Sequence, residues 1–205
     1  MLTVKLWECQ RPEKAGRPSM LVGGDRIGRV AVSRWYRRTG VIEVSYLLFD
    51  QHVATQIVRE GSNLISRNTS LQDAATAPLR NMSMHPVDLT SRSKVIFSVL
   101  KRGATTGTAN YDRTILYQRY EYGALANGSK LVTAGGGSFG GPPDYQAANS
   151  DNNTGLQFTT APPNLISVRG GMIYVTEVFT SHQMLTPVPN LGIAIPGTLY
   201  SIAYF

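Results

Sequence analysis

Residues 40–66 read GVIEVSYLLFDQHVATQIVREGSNLIS. Ile42, Tyr46, Phe49, Val53, Ile57 and Leu64 recur in steps of three, four and seven, and Ala54, Val58, Gly61 and Ile65 widen the row into a stripe. Such spacing predicts a helix, and Thr39 is placed to cap its start. About 27 residues at ~1.5 Å each give a rod of roughly 40 Å, long for a globular domain. Its first third is apolar nearly all round, whereas the rest has a polar face. The lower part is therefore expected to lie on a sheet. Val41, Val44, Leu47 and Leu48 form a contact face that needs lipid or a neighbouring helix, since such a patch on a soluble monomer invites association. Glu43 interrupts this apolar stretch; buried alone it would cost several kcal/mol, so it must find a partner, a proton or solvent.

Beyond the helix the pattern changes. Residues 67–92 carry a weak second helix over about 70–83, interrupted at Pro78. The period then becomes two. Residues 93–102 (SKVIFSVLKR), 114–122 (TILYQRYEY), 172–180 (MIYVTEVFT) and 198–205 (TLYSIAYF) are rich in β-branched and aromatic residues and are bounded by turn formers. The expected fold class is α+β: a long N-terminal helix packed on a four-stranded, mainly antiparallel sheet. Arg119 and Glu177 each interrupt a strand pattern and are read either as a structural cross-strand pair or as two separate exposed side chains. The division is a basic, disordered arm over 1–39 and a domain over 40–205, with its helix at 40–66 and its sheet within 93–205.

Charge supports that division. The chain of 205 residues has a net charge of +7. Residues 1–38 hold nine Lys and Arg against Glu8, Glu13 and Asp25, a net of +6, so the remainder is close to neutral. The arm is of the kind that meets anionic lipid or nucleic acid, or stays solvated. Nucleic-acid binding is the least favoured of these, because the basicity is confined to the arm. A single cysteine, Cys9, excludes an internal disulfide framework, and three scattered histidines leave little for a histidine metal centre. Residues 1–30 lack the apolar core of a signal peptide. No window reaches the ~20 apolar residues of a spanning helix.

A polar excursion over 127–164 separates the second and third strand patterns, and loops of that length tend to be functional or mobile. Gly135–Gly140 matches G-x-G-x-x-G, and Gly136–Gly140 matches G-x-S-x-G with Ser138 as the nucleophile. Both motifs need a helix immediately after them, and Gly141-Pro142-Pro143 follows instead. Asn149, Asp151 and Asn153 alternate like the first ligands of a calcium loop, but glycine falls one place late and the twelfth position is Thr160. They are weak metal candidates. A ligand-binding module or hydrolase working through Ser138, or through Asp144, Asp151 and Asn153, is the alternative function. No cofactor site is expected.

GVIEVSYLLFDQHVATQIVREGSNLIS, ILYQRYEYGALA, GGMIYVTEVFTSHQML and GTLYSIAYF, taken in that order, resemble segments of TadE/TadG-like pilus-assembly proteins. The resemblance covers about residues 40–205 and is least informative over 127–164. It implies a non-catalytic, pseudopilin-like subunit of the bacterial tight-adherence (Flp) pilus apparatus. Such a subunit sits in the cell envelope with an extracytoplasmic head, and its partners are other pilus and secretion-system proteins, with membrane contact through the start of the helix. The family places an apolar anchor before the position of Gly40. Here Arg26, Arg29, Arg34, Arg37 and Arg38 occupy that place, and central arginines cost about 2.5–3.5 kcal/mol each on insertion. The expectation is that residues 1–39 are not the family's ordinary start, or that the chain is a soluble or peripheral variant.

Overall fold

The structure is a computed structural model that describes residues 22–67, 70–76, 87–159, 165–185 and 196–205, with side chains from Arg38 onward. The chain divides into two units, Met1–Val41 and Ile42–Phe205. In the first, the described residues are helical throughout and form the beginning of α1, Val22–Ser66. The backbone is thus helical from within the stretch read as an arm. Residues 1–21 of that arm lie outside the described residues.

The second unit holds α2 (Leu71–Thr76) and four strands: β1 (Ser93–Arg102), β2 (Thr114–Gly123), β3 (Met172–Ser181) and β4 (Thr198–Tyr204). The strands form one sheet in the order β2-β1-β3-β4, antiparallel throughout. Each lies within one residue of its sequence-based bounds, because alternation of β-branched and aromatic residues between turn formers is a local signal. α2 opens on Ser70, whose Oγ accepts from the Asp73 amide at 3.1 Å and donates to Asp73 Oδ2 at 2.7 Å. Of the second helix expected over 70–83, residues 77–83 lie outside the described residues.

Both central strands are buried on both faces, which is why β1 and β3 lack a clean in–out burial pattern. On one face Val95, Phe97, Val99 and Val178 pack with Ala54, Ile57, Val58 and Ile65 of α1 and with Leu71, Ala74 and Ala75 of α2. Burying each large aliphatic side chain stabilises by about 1.5–3 kcal/mol. Gly61 brings the helix close to the sheet. A Cβ there would sit 3.0 Å from Thr176 Cγ2 and 3.1 Å from Phe97 Cε1. Next to it, Ser62 Oγ donates to Thr176 Oγ1 at 2.9 Å.

The buried line on α1 differs from the expected stripe. Ile42 and Phe49 are exposed, each at 54%, while Glu43 and Asp50 are buried in line with Ala54, Ile57, Val58, Gly61, Ser62 and Ile65. The stripe is rotated by about one residue at its upper end. The physical reason is a histidine that lies between the two acids within hydrogen-bond distance of both, described below.

The other face of the sheet is covered by the stretch that the sequence presents as a polar excursion. Leu131, Phe139 and Phe158 of that stretch, with Leu165 and Ile166 just after it, pack on Leu100, Leu116, Ile173 and Val175. Single bridges extend the outer edge of β2: Ala147 N donates to Tyr117 O at 2.8 Å and Phe158 N to Thr114 O at 2.9 Å. Asn110 Nδ2 ties the turn by donating to the carbonyls of Ser150 (2.7 Å) and Asn153 (2.9 Å). The described part of this excursion is an ordered third layer rather than a free loop.

Candidate functional site

α1 gives the first surface of interest. Val41 and Leu48 are 67% and 64% exposed, Val44 and Leu47 are half-buried, and Ile42 and Phe49 extend the exposed apolar row. This row lies on helical spacing, opposite the buried line. No described helix is long and apolar enough to cross a membrane.

Behind that row sits a buried acid centre. Glu43 and Asp50 stand seven residues apart, two helical turns, so both project from one side of α1. His182, just past the end of β3, is placed between them. Its Nδ1 lies 2.8 Å from Asp50 Oδ2 and its Nε2 3.2 Å from Glu43 Oε1, with all three side chains at most 4% exposed. The Leu185 amide donates to both Glu43 oxygens at 3.2 Å. Asp50 Oδ1 is buried without a hydrogen-bond partner among the described residues. This centre fastens the chain after β3 to the upper part of α1. Sequence reasoning flagged Glu43 but missed Asp50 and His182; the available signal was two acids on one helix side within an apolar run.

A third acid, Glu177, is buried on the opposite face of the sheet. It accepts from Ser129 Oγ, from the Lys130 amide at 2.9 Å and from Tyr200 Oη at 2.9 Å. Arg119 reaches the same group indirectly: its Nη2 donates to Ser129 Oγ at 3.1 Å and to Leu131 O at 3.2 Å. In the sheet Arg119 is opposite Ser98, whereas Glu177 is opposite Ile96, one pleat period away on β1. The residues read as a pair are thus connected through Ser129. Burial depresses the Arg119 guanidinium below its ordinary value, and the charge of Glu177 opposes that shift. Tyr200 is pushed well up, first by burial and then by the Glu177 charge and hydrogen bond.

The loop candidates separate. Ser138 is exposed, and no helix follows Gly140 before the short 3₁₀ turn Thr154–Leu156, so the strand–turn–helix setting of a nucleophile elbow is missing there. Asp151 Oδ2 accepts from Thr105 Oγ1 at 3.2 Å. Asn153 Oδ1 caps the 3₁₀ turn by accepting from Gly155 N at 3.0 Å. Asn149 stands in the left-handed region at φ 48° and turns the chain. Among the described residues no group of three or more His, Cys, Asp or Glu is placed to hold a metal ion.

Asp144 is the exception, because it borders a cavity of about 340 Å³ together with Tyr117, Gln118, Gln146, Met172 and Tyr174. The intervening Tyr145 fixes this rim: its ring stacks on Tyr120 with centroids 4.4 Å apart, and its carbonyl accepts from Arg119 N at 3.3 Å. The tyrosines and glutamines of the cavity drew no attention as sequence, because only the fold assembles them. Comparison with protein-family models, with curated proteins and with solved structures finds no match to this chain.

Proposed function

We propose that this chain is a non-catalytic, pseudopilin-like assembly subunit of the TadE/TadG-like kind, working in the tight-adherence pilus apparatus of a bacterial cell envelope. On this reading the sheet unit is an extracytoplasmic head, and α1 is a pilin-like spine that offers its upper part to membrane and to neighbouring pilus proteins. The observation that carries the reading is the apolar row of Ile42, Leu48 and Phe49, left exposed on a helix whose lower part is packed on the sheet. An exposed row of this kind on a soluble surface is a docking feature. The four sequence segments that resemble the family support it from a second side. The buried acid centre would keep that spine fixed to the head under load.

The test replaces Leu48 and Phe49 by Asn in the cells that carry the gene. Surface filaments are expected to be lost while the purified variant keeps its thermal melt. Filaments persisting at the normal level after deletion of the whole gene would sink the proposal.

A further inference from the structure

The cavity bordered by Asp144 is built for a ligand that the pilus reading does not supply. Asp144 and Gln146 are exposed, and Tyr117, Gln118 and Tyr174 are half-buried. The side chains of Tyr117, Gln118, Asp144, Gln146 and Tyr174 make no hydrogen bond or ion pair among the described residues. Gln118 and Gln146 face each other across a single antiparallel bridge, so their two carboxamides stand side by side on one rim. Each carboxamide offers an N–H and a carbonyl oxygen, the complement of a hydroxyl, which both donates and accepts. Two adjacent carboxamides therefore match two adjacent hydroxyls.

Charge narrows the class further. Asp144 is the carboxylate at the mouth, and the Lys101 ammonium lies 4.6 Å from the centroid of the Tyr117 ring, next to the cavity. The two carboxamides carry no charge and Asp144 on the lining disfavours an anion, so an uncharged polyhydroxyl ligand fits. Ile65, Leu71 and Met172 supply an apolar wall. The half-exposed Tyr174 supplies an aromatic face for C–H groups. We propose that this cavity binds a neutral saccharide of about one or two rings, with Gln118 and Gln146 bonding adjacent hydroxyls and Tyr174 stacked on the ring's C–H face.

The experiment titrates the full chain with lactose, maltose and N,N′-diacetylchitobiose, by calorimetry and by saturation-transfer NMR. Arginine ethyl ester and glutarate serve as charged comparisons. At least one disaccharide is expected to bind with a dissociation constant at or below ~1 mM. The double variant Gln118→Ala/Gln146→Ala is expected to weaken it at least about tenfold with an unchanged melt, and Tyr174→Ala, which removes the stacking face, at least about fivefold. Three outcomes overturn the proposal: no disaccharide binding up to about 20 mM, binding that survives loss of both carboxamides, or preference for either charged probe.

Discussion

The two faces of the sheet each bury an acid, and they satisfy it in different ways. On the helix side Glu43 and Asp50 share one ring, His182, brought from more than a hundred residues away, and one carboxylate oxygen of Asp50 is left over. On the opposite side Glu177 is surrounded by a hydroxyl, an amide and a phenol, with Arg119 held off by Ser129. The first centre is gathered on one ring, with the Leu185 amide also bonded to Glu43. The second is distributed over several donors, each worth little by itself. That difference predicts how each face fails.

The sharpest way to break the comparison is His182→Ala. It leaves Glu43 and Asp50 buried without their ring, and stranding a buried hydrogen-bonding group costs about 1–3 kcal/mol each, more where it is charged. Urea denaturation should show the midpoint falling with its slope unchanged. A loss under about 1 kcal/mol would mean that the two acids do not depend on the ring. Glu177→Ala is expected to cost less, about 2–3 kcal/mol, because the donors it abandons at Ser129 and Tyr200 can turn to solvent while the Lys130 amide remains covered. Faster hydrogen exchange at the Lys130 amide is the specific sign; unchanged exchange there would show that Glu177 does not hold the third layer.

The smallest effect is in the alkaline limb. Tyr200 has its folded-state value raised above the ordinary 10.0, chiefly by burial, then by Glu177. Its contribution to stability is therefore whole below pH 10.0 and is lost as pH climbs from there through the raised value. Tyr200→Phe should flatten the fall in melting temperature above pH 10.0 and leave the neutral range little changed. A variant whose alkaline limb matches the unaltered protein would assign that fall to other groups.

The strands were legible because each carries its own alternation; MIYVTEVFT needs no distant partner to be read as β. The buried line on α1 was misplaced for the opposite reason. A local reading turns charges outward, which put Ile42 and Phe49 inside and gave Asp50 no role, whereas the deciding residue, His182, belongs to the far end of β3. The third layer was hidden in a similar way. Leu131, Phe139, Phe158 and Ile166 are scattered among Gly, Asn and Pro with no period, so only their common destination on the sheet makes them a core. Arg119 and Glu177 were correctly picked out as interruptions of strand patterns, but the intermediary Ser129 has no signature.

The bridges that run beside β2 have one more effect. An uncovered rim of a sheet is a template on which a second chain can add its own strand and begin unlimited lateral growth. Here Thr114 and Tyr117 already have their outward carbonyls engaged by Phe158 and Ala147 of the same chain. Strand addition at those two positions is closed off, which leaves β4 as the sheet's other border.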